Sequence, residues 1–396
     1  MASQEIFRKY SWLNSNLFER ALNQDGLTNK IIRFAILPAF DNGDNYSSCL
    51  IRANVEYSND TGTHCKQFII KASLGEQLVR SHDVFAKEIC IYDEIVPKME
   101  SVLMAASIPM KLTPRCYSSD RQQSYLILED LTLSNYKNVA RTQGLNFDQL
   151  KQCINALALW HAASVKINTN DTSQRLYDLF QKPHVHLNGS PHYKTLFENA
   201  VYSCSQAFEN RSDLLDIVRK LSQLIEKVFE KCCTAVERNH STINVLNHGD
   251  LWSMNIMFNM DSNIDALPLF LDFQTCYFGS PILDLSYLVF SSSNDTVTST
   301  EYDQLFDYYF EQLIDAMIKL KLPSTIIPTK EQLQHEFELR GCFGAFFSLF
   351  IVPLRSMDDA GDNDVKQFLN KSEDGLAFRK RIYSNPKAQK LLTNLL

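Results

Sequence analysis

His248, Gly249, Asp250, Leu251, Trp252, Ser253, Met254 and Asn255 follow one another in the middle of the chain, and Leu271-Asp272-Phe273 comes shortly after. An acid in a His-x-Asp loop, an amide five residues on and a second acid at the end of an apolar run form a set suited to phosphoryl transfer. That reaction asks little covalent chemistry of a protein. It needs in-line positioning and compensation of negative charge on the phosphates. A magnesium ion supplies most of that compensation, taking hard oxygen ligands while keeping several waters. Asn255 and Asp272 are suitable metal ligands, one neutral and one anionic. Asp250 stands where a base would accept a hydrogen bond from an acceptor hydroxyl, and His248 where a side chain would brace the loop. Alone, each fragment reads as an ordinary turn or a strand end. At this spacing they read together as one kinase site.

The surrounding residues fit that placement. Thr242 to Leu246 reads as a short buried strand leading into the loop. Asn255 to Phe258 and Leu267 to Leu271 read as the two arms of a hairpin, with turn chemistry at Met260-Asp261-Ser262-Asn263. A nucleotide also needs a cation on its phosphates, and Gln67-Phe68-Ile69-Ile70-Lys71 is a strand-like run ending in one. Glu88 lies in a stretch where Phe85, Ile89 and Tyr92 recur at helical spacing. A Lys71–Glu88 ion pair would hold the ammonium where it reaches the α- and β-phosphates. Without the downstream loop the same two residues would read as a solvated surface pair.

Two further stretches bear on nucleotide binding. Asp41 to Ser48 sits between apolar stretches at 34–40 and 49–55 and reads as a hairpin tip. It has one glycine, Gly43, but its backbone amides with Asn45, Ser47 and Ser48 could wrap a phosphate. An ordinary polar turn fits nearly as well. Ser124 to Leu131 is a strand that turns polar at its end. Main-chain groups of Glu129, Asp130 and Leu131 there either meet an adenine ring or simply end the strand.

Composition narrows the classes. A chain of 396 residues can bury two substantial cores, and its net charge of −7 argues against a nucleic-acid footprint. The N-terminal residues lack an apolar signal core, and the longest apolar stretch, Cys342 to Leu354, is too short to cross a bilayer. Ten cysteines with no CxxC pair read as reduced, mostly buried thiols of a cytosolic protein. His184, His186 and His192 lack ligand partners at metal spacing and read as loop residues. No GxSxG elbow is present.

The elements that must position the site divide the chain into a nucleotide-binding lobe over 1–130 and a catalytic and acceptor-binding lobe over 131–396. The first mixes strands with the Glu88 helix, and from about 146 onward helices dominate. Asn146 with Gln149 forms a capping box for a helix through Leu150, Ile154, Leu157 and His161, where His161 reads as a hydrogen-bonded core histidine. Residues 212–238 read as one longer amphipathic helix nearly in heptad register, packed within the larger lobe. Gly279-Ser280-Pro281 starts another helix, in which Asp284 braces the catalytic loop or caps the helix.

Together these residues resemble the ecdysteroid kinase-like family, also called CHK kinase-like, a relative of aminoglycoside and choline kinases. The resemblance covers nearly the whole chain: Gly43-Asp44-Asn45-Tyr46, Lys71, Phe85-x-x-Glu88-x-x-x-Tyr92, Leu128 to Leu131, Leu159-Trp160-His161-Ala162, the His248–Asn255 run, Leu271 to Gln274, and Asp284. It implies an α+β, bilobal protein kinase-like fold: a small N-terminal lobe with an antiparallel sheet plus a helix, and a larger, mainly helical C-terminal lobe. It also implies phosphate transfer from ATP, with magnesium, to the hydroxyl of a small molecule. Activities of the family include phosphorylation of ecdysteroid hormones, and insect members are suspected of modifying dietary or foreign alcohols, a detoxifying role. A ligand-binding member without activity and a choline or ethanolamine kinase stand as alternatives. Trp252 and Ser253 replace the Lys-bearing stretch of protein kinases, and no Ala-Pro-Glu segment follows Asp272, which argues against a protein substrate.

Clues to the acceptor are softer. Phe343, Phe346, Phe347 and Phe350 share one helical segment, and Tyr302, Phe306, Tyr309 and Phe310 another. They suit an aromatic pocket for a bulky alcohol such as a steroid, though such stripes are more often core. Asp303, Asp307 and Glu311 interleave with the second group, so an aromatic cage for choline stays open as well.

Overall fold

The computed structural model describes residues 6, 8–23, 29–39, 48–73, 85–108, 110–170, 178–187, 189, 191–238, 242–261, 266–358 and 364–396. The chain forms two compact units. One comprises Met1–Lys98, Thr113–Lys137 and Asn259–Asn263; the other comprises Met99–Leu112, Asn138–Phe258 and Ile264–Leu396. The sequence suggests one boundary near 130; each unit draws on three separate stretches of the chain.

The first unit is built on a sheet of β1 (Lys30–Pro38), β2 (Ser48–Asn59), β3 (Gly62–Ser73), β4 (Cys116–Asp120) and β5 (Tyr125–Glu129). The strands lie in the order β1-β2-β3-β5-β4, and every pairing is antiparallel. Alternation decides the faces. Ile51, Ala53 and Val55 of β2 and Phe68, Ile70 and Ala72 of β3 are buried against α1 (Ser15–Leu22), which contributes Leu17, Phe18, Ala21 and Leu22. Asn14 caps α1 by accepting a hydrogen bond from the Leu17 amide. Lys71, between Ile70 and Ala72, therefore projects from the opposite face of β3.

A helix over 85–105, α2, follows; a π-helical stretch at Ile91–Ile95 interrupts it. The wider turn brings Ile91, Tyr92 and Ile95 all into the interior. Of the phosphate-wrapping residues, Gly43, Asn45 and Ser47 lie outside the described residues. Ser48 is not part of a tip: it is buried in the ladder, opposite Ser73.

The second unit is mainly helical. The capping box at Asn146 and Gln149 forms with both reciprocal bonds, at 3.0 and 2.9 Å, and opens α3 (Phe147–Asn170). Then come α4 (Pro191–Ala207), α5 (Leu215–Leu224) and α6 (Val228–Val236). The single long helix read over 212–238 is instead a short 3-10 turn at Ser212–Leu214 followed by α5 and α6, with a turn between them. A seven-residue apolar repeat drifts around a straight helix. The break re-aims the second segment, so that Val218, Leu221, Val228 and Cys232 all reach one core.

Two small antiparallel pairs carry the loop that matters. β6 (Val245–Asn247) pairs with β9 (Tyr277–Gly279), and β7 (Ile256–Asn259) pairs with β8 (Leu269–Phe270). They are followed by α7 (Ile282–Ser292), α8 (Ser299–Lys319), α9 (Lys330–Arg340), α10 (Cys342–Arg355), α11 (Val365–Leu369), α12 (Glu373–Tyr383) and α13 (Pro386–Leu395). α10 meets α7 at Gly344, where any Cβ would run into the backbone of Ser286. Phe343, Phe346, Phe347 and Phe350 of α10 are core residues. Among the described residues no single helix is long and apolar enough to cross a membrane. All ten cysteines are free thiols.

Candidate active site

In the first unit, the ion pair expected of Lys71 and Glu88 is made: Nζ lies 2.8 Å from Oε1. β3 sends Lys71 away from the α1 face, and the register holds it between Leu50 of β2 and Leu126 of β5. Glu88 is carried by α2 on the same side as Phe85 and Ile89, all three fully shielded from water. The Lys71 ammonium is thereby fixed as a buried point charge.

The stretch Glu129–Leu131 is more committed than its sequence suggests. The Glu129 amide donates to the Arg115 carbonyl at 2.8 Å, and its carboxylate accepts from the Arg115 amide at 3.1 Å. Asp130 is buried with Oδ2 2.7 Å from Arg52 Nε, and its Oδ1 caps the 3-10 turn Leu131–Ser134 through the Thr132 amide and hydroxyl. The Asp130 side chain is thus a structural anchor, and the Glu129 amide is already used within the unit.

In the second unit the loop 248–255 is held from every side. Asp284, on the first turn of α7, accepts from the His248 amide at 2.6 Å and from the Gly249 amide at 2.9 Å. It braces the loop, one of the two roles its position allowed. His161 of α3 reinforces it: Nε2 lies 3.3 Å from Asp284 Oδ2, and Nδ1 lies 2.5 Å from the Tyr309 hydroxyl. Burial pushes the His161 pKa down, despite its bond to Asp284, so the ring is neutral, donates through Nε2 and accepts from Tyr309. It is the hydrogen-bonded core histidine that the helical stripe implies. The neighbouring Trp160 donates to the Leu246 carbonyl at 2.7 Å and stacks on Phe273, tying α3 to the strand that enters the loop.

His248 is buried, with Nε2 2.8 Å from the Leu271 carbonyl and Nδ1 accepting from the Asp250 amide at 3.3 Å. Both ring nitrogens thus have backbone partners, one on the Leu271 carbonyl and one on the Asp250 amide. Gly249 has φ +83°, and a Cβ there would stand 2.5 Å from the Thr275 carbonyl oxygen. The Leu271 amide donates to the Asn255 carbonyl at 2.9 Å, which extends the β7–β8 ladder and brings Asp272 beside the loop. Asp272 itself takes φ +66°, a left-handed conformation that Asp tolerates better than most residues.

Asp250, Asn255 and Asp272 are therefore assembled. Asn255 Nδ2 donates to the Asp250 carbonyl at 2.8 Å and approaches Asp250 Oδ2 at 3.2 Å. That pattern assigns the amide orientation and turns its Oδ1 to the other side. Asp250 keeps some exposure, yet the protein crowded around it raises its pKa to about 7; burial is the main cause, and the charge of Asp272 adds to it. Two carboxylates in electrostatic reach with an amide oxygen beside them suit a hard divalent cation. Among the described residues no three His, Cys, Asp or Glu side chains gather into a self-contained metal centre. A magnesium ion here would be held by Asn255 and Asp272, with waters and phosphate oxygens filling the remaining positions.

The structure adds residues that reading the sequence passed over. Tyr287 donates its hydroxyl to Asp250 Oδ1 at 2.6 Å. Asn138 donates to the carbonyls of Met254 and Ile256 at 2.8 and 2.9 Å, and Thr275 donates to the His248 carbonyl at 3.0 Å. Only Tyr287 had a local signal, a phenol one helical turn beyond the bracing Asp284.

No curated protein matches the chain in sequence. Among solved structures it is similar to the GDP complex of wild-type aminoglycoside 2'-phosphotransferase-IIIa, at 14% identity and a TM-score of 0.41, over 93% of this chain and 98% of that one. A GDP complex of a single-site mutant of that enzyme gives 13% identity and a TM-score of 0.39, over 96% and 97%. The ecdysteroid kinase-like family matches residues 42–322, well over half of the sequence, and the chain belongs to that family.

Proposed function

We propose that this protein transfers the γ-phosphoryl group of ATP to a hydroxyl of a small, apolar molecule, an ecdysteroid or another steroid or foreign alcohol. The observation that carries the reading is the loop acid Asp250, hydrogen-bonded by Asn255, with Asp272 beside it and Asp284 holding the loop amides. Family membership supports the phosphotransferase class.

In this reading Asp250 receives the hydrogen bond of the acceptor hydroxyl and then its proton. The hydroxyl oxygen forms a bond to the γ-phosphorus, the bond to the bridging oxygen breaks, and ADP leaves. Asn255 and Asp272 hold magnesium, which when bound offsets the charge on the phosphates. Lys71, steadied by Glu88, is the cation for the nucleotide phosphates. On α8 the residues that a choline cage would combine are split: Tyr302, Phe306, Tyr309 and Phe310 are buried in the core, whereas Asp303 and Glu311 are exposed and Asp307 pairs with Lys330.

The deciding experiment measures ADP release from Mg-ATP with a panel of alcohols, including an ecdysteroid, other sterols, choline and ethanolamine. Turnover with a steroid alcohol, lost in Asp250→Asn and Asp272→Ala variants that still melt cooperatively, is the expected result. Undiminished turnover in purified Asp272→Ala would remove its metal role. An Mg-ATP-dependent rise in melting temperature without ADP release for any alcohol would point to a binding protein without activity.

A further inference from the structure

The phosphotransfer scheme needs a loop acid, two metal ligands and a cation, and Tyr287 is none of these. Its hydroxyl nevertheless donates to Asp250 Oδ1 at 2.6 Å, while Asn255 Nδ2 stands 3.2 Å from Oδ2. Each carboxylate oxygen is thus met by a different element, Oδ1 by α7 and Oδ2 by the loop itself. Contacts at both ends set the rotation of the carboxylate plane.

Tyr287 is itself held rigidly. The ring is buried and lies edge-on to Phe347, with centroids 5.1 Å apart and planes at 65°. Phe347 sits one turn beyond Gly344, where the absence of a Cβ lets α10 press onto the Ser286–Tyr287 backbone. Asp284, three residues before Tyr287 on the same face of α7, holds the His248 and Gly249 amides. One turn of one helix therefore grips both the backbone of the loop and the side chain it presents.

We propose that Tyr287 is a positioning residue for phosphoryl transfer, engaging Asp250 Oδ1 so that Oδ2 is the oxygen presented to the acceptor hydroxyl. This rests on the reading of Asp250 as the base. A group oriented in advance acts without reorganisation during the reaction, and hydrogen bonds to charged groups are among the stronger ones.

The test replaces one atom. Tyr287→Phe keeps the ring against Phe347 and removes only the hydroxyl. The expected result is a kcat about 10- to 100-fold lower with the KM for ATP and the melting temperature unchanged. In an Asp250→Asn background the same substitution causes no further loss, because the group it orients is gone. A kcat within twofold of the parent, or an equal loss in both backgrounds, overturns the proposal. Should Tyr287→Phe melt lower, a crystal structure of the variant decides. Rotation of the Asp250 carboxylate away from Asn255 supports positioning, and an unchanged carboxylate overturns it. Absence of ADP release from the parent protein with every alcohol defeats the proposed reaction, while the crystallographic comparison still settles what Tyr287 does to Asp250.

Discussion

The Lys71 ammonium lies 2.8 Å from the Glu88 carboxylate, and both groups are almost wholly sealed from solvent. Strand alternation points Lys71 away from the α1 core, and helical spacing brings Glu88 to meet it. Removing one member leaves the other charge buried and uncompensated. Glu88→Gln is expected to lower the unfolding free energy by about 3–5 kcal/mol, read by urea denaturation. Replacing both residues, as Lys71→Met with Glu88→Leu, is expected to recover much of that loss while abolishing ATP binding. A double variant no more stable than the single one would contradict the assignment.

Asp284 satisfies two backbone amides and a histidine ring at once. Asp284→Ala leaves those donors buried without their acceptor, an expected cost of about 3 kcal/mol or more. Amide hydrogen exchange at His248 and Gly249 should accelerate strongly, and catalytic turnover should fall with it. Protection at both amides equal to the parent would contradict the brace.

Gly249→Ala tests the loop backbone directly. The residue sits at φ +83°, and the added methyl would stand 2.5 Å from the Thr275 carbonyl oxygen. Conformational strain and this collision together should cost about 2 kcal/mol or more. Because the neighbouring Thr275 hydroxyl also holds the His248 carbonyl, activity should drop more than stability alone accounts for. Chemical denaturation and kcat measured on one preparation separate the two effects.

A pH dependence follows from Asp250, whose pKa is raised to about 7, by burial first and then by the charge of Asp272. An acid raised on folding binds more protons in the native than in the unfolded state between about pH 4 and pH 7. Its contribution to stability is therefore largest below that window, falls as pH climbs through it, and is flat above. With metal withheld by a chelator, Asp250→Asn should flatten the decline in melting temperature between pH 5 and 7, an effect on the order of a few kcal/mol. Parallel curves for parent and variant would show that Asp250 does not titrate there.

Much of the positioning machinery was legible locally. The capping box at Asn146, the strand carrying Lys71 (which runs two residues past it, to Ser73), the helical spacing around Glu88 and the hairpin carrying Asp272 all follow from short-range backbone rules. Other features depended on distant neighbours. Ser48 reads as a turn residue until β2 is seen to extend to it opposite Ser73. Asp130 reads as part of a strand end until Arg52 is found against its carboxylate. The heptads of 212–238 predict one helix, yet burying both halves in one core takes a break between α5 and α6.

The chain's own letters determined which atoms are available for chemistry: an acid, an amide and a second acid at kinase spacing, and an ammonium with a matching carboxylate. Those are properties of residue type and of periods of two and 3.6, which operate over a few residues. Folding decided what each group touches and hence how it behaves. Burial within the folded protein raises the Asp250 pKa to about 7, and α7 carries Tyr287, 37 positions away in sequence, to its carboxylate. Desolvation and close packing are sums over the whole surrounding protein, so they come into being only once it has folded.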